Sequence, residues 1–155
     1  MRQSSASARA ARVPHAVVAL MVLGAIALEP WTAFRQGPGI AGTKAERLTR
    51  LFSYFTIQSN ILLGVTSALL AVRPDRDGRV FRVARLDGLL CIVVTGIVYH
   101  AVLTGVADLT PAGELSNLLL HTAVPIGALL AWLLTGPRPR IDRVTALWAV
   151  AYPMV

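Results

Sequence analysis

The sequence predicts an all-α, polytopic transmembrane helix bundle with four complete spans and an incomplete fifth. Three observations carry this. Of 155 residues, 55% are hydrophobic and 15% are charged, whereas a soluble chain is about 25% charged. The apolar residues gather in runs at about 15–34, 51–72, 86–106 and 115–135. Each run is close to the roughly 20 residues that cross about 30 Å of hydrocarbon. Breakers separate the runs: Gly37-Pro38-Gly39, Arg73-Pro74-Asp75, Thr110-Pro111 and Gly136-Pro137-Arg138-Pro139.

Residues 1–14 are rich in Ser, Ala and Arg and are expected to form a disordered cytoplasmic tail, with the transmembrane helical domain over 15–155. The first run has signal-peptide features in Arg2, Arg9, Arg12 and the small-x-small triplet Ala25-Ile26-Ala27. The three further spans favour a retained helix. A backbone in lipid must satisfy its own hydrogen bonds, so each run must be helical. The fifth run, 144–155, would extend only about 18 Å as a helix. It is too short to cross, and the chain is therefore expected to be a piece of a longer protein. Cys91, the single cysteine, cannot form an intrachain disulfide and reads as a small core hydrophobe.

The net charge of +7 raises nucleic-acid binding, but the arginines flank apolar runs and form no amphipathic basic face. Membrane topology explains them better. The N-terminal tail and the second and fourth loops hold eleven Arg and Lys residues, against four in the first and third loops. The predicted orientation has the N-terminus cytoplasmic, in the cell membrane.

That orientation places the polar residues of the spans by depth. Glu29 falls near the outer end of the first span. Ser53, Thr56, Gln58 and Asn60 open the second, Thr95, Tyr99 and His100 close the third, and Asn117, His121 and Thr122 open the fourth. All lie in the outer half, mostly within about 10–15 Å of the outer surface, while the inner halves read as plainer. At 100° per residue Ser53, Thr56, Asn60, Gly64 and Ser67 share one face, as do Asn117, His121 and Pro125. Pro125 has no N–H for the His121 carbonyl, so a kink is expected there. The pattern predicts a polar cavity in the outer half. Ser, Thr, Asn and Gly also serve as packing residues between membrane helices, and Glu29 can reach the surface by extending its side chain.

A Thr hydroxyl needs a base to become a nucleophile, and neutral His is a suitable base near pH 7. Thr56 as nucleophile and His121 as base, with Asn60, Asn117, Tyr99 or His100 as oxyanion donors or ligand contacts, would make an acyl-transfer site suited to lipid esters. No Gly-x-Ser-x-Gly, phosphate-binding loop or metal-spaced cluster occurs, so no cofactor or metal is expected. A metal held by His100, His121 and Glu29 is the weaker alternative.

Two segments, Leu51-Phe-Ser-Tyr-Phe-Thr-Ile-Gln-Ser-Asn60-Ile-Leu and Asn117-Leu-Leu-Leu-His121-Thr-Ala-Val-Pro125, bracket Arg85-Leu-Asp87 and Val94-Thr-Gly-Ile-Val-Tyr-His100. This set resembles the bacterial Pr6Pr family of integral membrane proteins, from about residue 15 onward. That family more distantly resembles the animal androgen-induced membrane proteins, multi-pass threonine hydrolases of fatty acid esters of hydroxy fatty acids. The resemblance implies about six helices, with Thr56 at the position of the catalytic Thr and His121 at that of the catalytic His. Two other functions fit the residues: a non-catalytic lipid-binding or carrier protein, and a structural subunit or homo-oligomer. The latter would use Gly64/Ala68 and Gly127/Ala131 as contact faces.

Overall fold

The computed structural model describes residues 5–36, 42–106, 109–135 and 141–151, with side chains in the first segment from Ala10 to Arg35. Every regular element among them is helical. In chain order they are α1 (Ser5–Gln36), α2 (Lys44–Ser53), α3 (Phe55–Val72), α4 (Arg79–Val98), α5 (Pro111–Leu118), α6 (Val124–Thr135) and α7 (Arg143–Ala151). A π turn, Tyr99–Leu103, extends α4, and a second, Leu119–Ala123, joins α5 to α6. Four stretches are long and apolar enough to cross a membrane: Ala10–Arg35, Phe55–Val72, Arg79–Leu103 and Pro111–Thr135. The architecture is an all-α bundle compatible with a multi-pass membrane protein.

The spans alternate in direction, so the bundle has a near end, where α1 begins, and a far end, where α1 finishes. His15, Val18, Val22, Ala25 and Thr32 are all buried. Their spacing of three, four and seven makes one seam along α1. Val18 and Val22 meet Leu63 of α3, Leu89 and Ile92 of α4, and Val124, Ala128 and Ala131 at α6 in the main apolar cluster. A smaller cluster of Ala25, Leu51, Ile57 and Leu120 closes the far end.

Close backbone approach replaces side-chain bulk at several crossings. A Cβ built on Gly64 would lie 2.7 Å from Val22 Cγ1, and one on Gly127 would lie 2.9 Å from Met21 Cε. Both glycines of the small-residue pairs are therefore used by α1 of the same chain. Gly88 does the same for α4 against α3, where its Cβ would lie 3.2 Å from the Leu63 nitrogen.

Several expected boundaries shift. α1 begins at Ser5, so residues 5–14 are helical where a disordered tail was expected. Ala and Arg are strong helix formers, and an adjoining apolar span supplies the nucleus they extend. Likewise Arg79, Arg82 and Arg85 lie inside α4 and not in the preceding loop. The second run is broken at Tyr54, whose ψ of 132° separates α2 from α3. Ser53 therefore does not share a face with Thr56; its Oγ donates to Thr49 O at 2.7 Å. α2 itself is a short amphipathic helix capped by Thr43, which accepts from Glu46 N at 3.1 Å. The fifth run is helical from Arg143, and α7 packs on α4. Asp142 caps it: its carboxylate accepts from Thr145 N at 2.7 Å, which holds the acid below the ordinary carboxylate range. The tail residues 1–4, the breakers Gly37-Pro38-Gly39 and Gly136-Pro137-Arg138-Pro139, the acidic loop residue Asp108 and the last residues 152–155 lie outside the described residues.

Candidate functional site in the far half of the bundle

Both π turns occur at the far end, on neighbouring helices. π turns inside α-helices occur frequently at functional sites. Pro125 explains the second one: it has no N–H for the carbonyl four residues earlier, that of His121. Gly96 of α4 accommodates this carbonyl, because a Cβ there would stand 3.1 Å from His121 O and 3.2 Å from Pro125 Cγ.

The two turns bring five predicted polar residues together. His100 Nε2 lies 3.0 Å from Thr122 Oγ1, and one of the pair donates to the other according to the imidazole tautomer. Asn117 Nδ2 donates to the Tyr99 hydroxyl. The Tyr99 ring stacks on His121 with centroids 4.3 Å apart and meets His100 edge-on at 5.1 Å. His121 Nδ1 lies 3.2 Å from Asn117 O. A carbonyl only accepts, so Nδ1 carries the proton and Nε2 of His121 is the lone-pair nitrogen.

Beside this cluster runs a groove of about 300 Å³ between α4 and α6. Val93, Ile97, Ile126 and Leu129 form its apolar walls, with His100, His121 and Thr122 at its polar end. A second groove of about 400 Å³ lies between α1 and α3, lined by apolar side chains and glycine such as Leu20, Leu23, Ile61 and Gly64. The smaller groove has His100, His121 and Thr122 in its lining, whereas the residues lining the larger one carry apolar side chains or are glycine.

Thr56 and Asn60 do not line the α4–α6 groove. Asn60 is fully buried, and its Nδ2 donates to the Thr56 carbonyl at 2.8 Å. Its Oδ1 has no partner among the described residues. That atom accepts and cannot stabilise an oxyanion. No hydrogen bond joins the Thr56 hydroxyl to His121 among the described residues, although α3 touches the second π turn. Glu29 is held within the bundle: buried Ser116 donates to its Oε1 at 2.6 Å. It does not converge with His100 and His121. No group of three His, Cys, Asp or Glu side chains able to hold a metal occurs among the described residues. Gln58 turns back along its own chain, with Nε2 donating to Phe52 O at 3.2 Å.

The near half is less plain than the sequence suggests. Arg85 and His15 are 5% and 4% exposed. The Arg85 guanidinium lies over the Trp132 ring, 4.5 Å from its centroid. Asp87 is also buried and accepts from Cys91 Sγ at 3.2 Å. Sequence reasoning missed this set because Arg85 counted as a loop cation and His15 stood at the first residue of a span. The spacing of Arg85, Gly88, Ile92 and Thr95 on one buried seam was the available signal.

No family model, no curated protein and no solved structure matches the chain.

Proposed function

We propose that this chain is a multi-pass protein of the cell membrane, N-terminus cytoplasmic, that binds a lipid ester in the groove between α4 and α6. The acyl chain lies against Val93, Ile97, Ile126 and Leu129, and the ester group meets His100 and Thr122. The observation that carries this reading is the 3.0 Å His100–Thr122 contact at the polar end of an otherwise apolar groove. Binding sites for small molecules commonly combine apolar walls with a few placed polar groups. The more distant resemblance to the animal threonine hydrolases, by way of the Pr6Pr family, favours lipid-ester chemistry at the same end of the bundle, and the arginine distribution favours the orientation.

Hydrolysis is the second reading, favoured by a hydroxyl within hydrogen-bond reach of an imidazole. Thr122 would be the nucleophile and His100 the base. The resemblance supports Thr56 and His121 for the same roles. Binding ranks first because neither pair comes with both an orienting partner for its base and converging oxyanion donors.

The test uses the protein in lipid nanodiscs with a radiolabelled fatty acid ester of a hydroxy fatty acid. Loss of one hydrogen bond at about 0.5–1.5 kcal/mol predicts that Thr122→Val and His100→Phe each weaken binding by roughly 2- to 12-fold. Equal binding in both variants sinks the site. Released fatty acid that disappears in Thr122→Val but persists in Thr56→Ala establishes the second reading, and the opposite pattern assigns catalysis to Thr56 and His121.

A further inference from the structure

The near half of the bundle contains a cavity that the lipid-ester reading does not use. His15 of α1, Thr66 and Ser67 of α3, Arg85 of α4 and Trp132 of α6 line it, with Ala128 closing one side. Its volume of about 10 Å³ matches the roughly 10–15 Å³ that one water requires. It is too small for a lipid headgroup or an acyl chain.

Among leucine and alanine side chains, four polar residues face this cavity. His15, Thr66, Ser67 and Arg85 are each at least 95% buried. Thr66 Oγ1 donates to Leu62 O and lies equally close, at 3.0 Å, to Leu63 O, so its oxygen keeps a lone pair. His15 Nε2 is buried without a hydrogen-bond partner among the described residues. A buried polar atom left in that condition costs about 1–3 kcal/mol, more than a packing preference would sustain. In a span the cost is not relieved by bulk solvent. Polar or ionisable side chains inside spans ordinarily find one another or line water.

We propose that this cavity binds a single water molecule, which bridges His15 Nε2 to the hydroxyls of Thr66 and Ser67 beside the Arg85 guanidinium. Two to four polar partners surround a typical buried water, and this lining supplies that number. The water ties α1 to α3 in the near half of the bundle, with α4 and α6 closing the cavity around it. One bridging molecule there also explains why a histidine occupies the buried seam that Val18, Val22 and Ala25 otherwise fill with apolar side chains.

Radiolytic hydroxyl-radical labelling of the full chain in nanodiscs tests this, because radicals made from a bound water oxidise the side chains touching it. The expected result is oxidation of His15 together with little oxidation of Ile92, which is as deeply buried but lies outside the cavity. Ala128→Val, which fills the cavity, should reduce His15 labelling to the level of Ile92. Ser67→Val, a smaller change on a different helix, should do the same and guards against misfolding of the first variant. His15 labelled no more than Ile92 in the native protein overturns the proposal. So does a saturable thermal stabilisation by bromide that requires Arg85, because it would put an anion in the cavity.

Discussion

The contact between Gly64 and Val22 supports a prediction whose size follows from geometry. In Gly64→Ala the new methyl would stand 2.7 Å from Val22 Cγ1 and 3.2 Å from Val22 Cβ. Carbon atoms settle near 3.5–4.0 Å, so one helix must move or the valine must leave its rotamer. Val22 is 4% exposed and sits in the main apolar cluster, so neither adjustment is free. Overpacking of this kind costs about 1–3 kcal/mol. The substitution also gains roughly 0.5–1 kcal/mol of helix propensity, which blurs the single variant. A double-mutant cycle removes that blur. Val22→Ala deletes the opposing methyls, and the propensity gain cancels between the two arms. The predicted coupling is about 1–3 kcal/mol, with Gly64→Ala better tolerated in the Val22→Ala background. The assay is reversible unfolding in detergent followed by circular dichroism. A coupling within about 0.3 kcal/mol of zero refutes the α1–α3 crossing described here. A change in oligomeric state in Gly64→Ala refutes the assignment of this glycine to packing within one chain.

Three further outcomes are expected. Ser116→Ala removes the 2.6 Å bond to Glu29 that links α5 to α1, and should cost about 0.6–1.7 kcal/mol in the same unfolding assay. Tyr99→Phe takes the hydroxyl from Asn117 while keeping the ring stacked on His121; a stability loss of similar size, about 0.6–1.7 kcal/mol, is expected, and unchanged stability would argue against that bond. Asp142→Ala should fray the start of α7, read as faster amide exchange at Thr145. Because its folded acid is depressed below the ordinary 3.8, the cap's contribution is complete above that pH. It disappears as pH falls through the lower folded value, so variant and native chain should converge in acid.

The four spans were legible because long apolar runs separated by Pro and Gly have few alternatives in lipid. Their ends were not. Arg79, Arg82 and Arg85 are good helix formers, and no local rule stops a helix at a cation. The break at Tyr54 was hidden because Leu51 to Phe55 holds neither Gly nor Pro. At the far end, depth along each span brought Tyr99, His100, Asn117, His121 and Thr122 to one level, and the structure gathers them. Pro125 signalled the second π turn; the first, at Tyr99, has no comparable residue. Depth does not fix rotation, however. Thr56 and Asn60 have the right height, but Asn60 spends its donor on the Thr56 carbonyl and neither lines the groove. Burial of Arg85 was the hardest to foresee, since it depends on Trp132 of α6 arriving from 47 residues away to cover the guanidinium.

Whether a lipid ester occupies the groove between α4 and α6 is the question on which the proposed function rests. A photoreactive acyl ester, cross-linked in nanodiscs and mapped by peptide mass spectrometry, answers it directly. The account predicts adducts on Val93 to His100 and on His121 to Leu129, competed by unlabelled ester and reduced in Thr122→Val. Adducts concentrated on Leu20, Leu23, Ile61 and Val65, in the wider groove between α1 and α3, would contradict it.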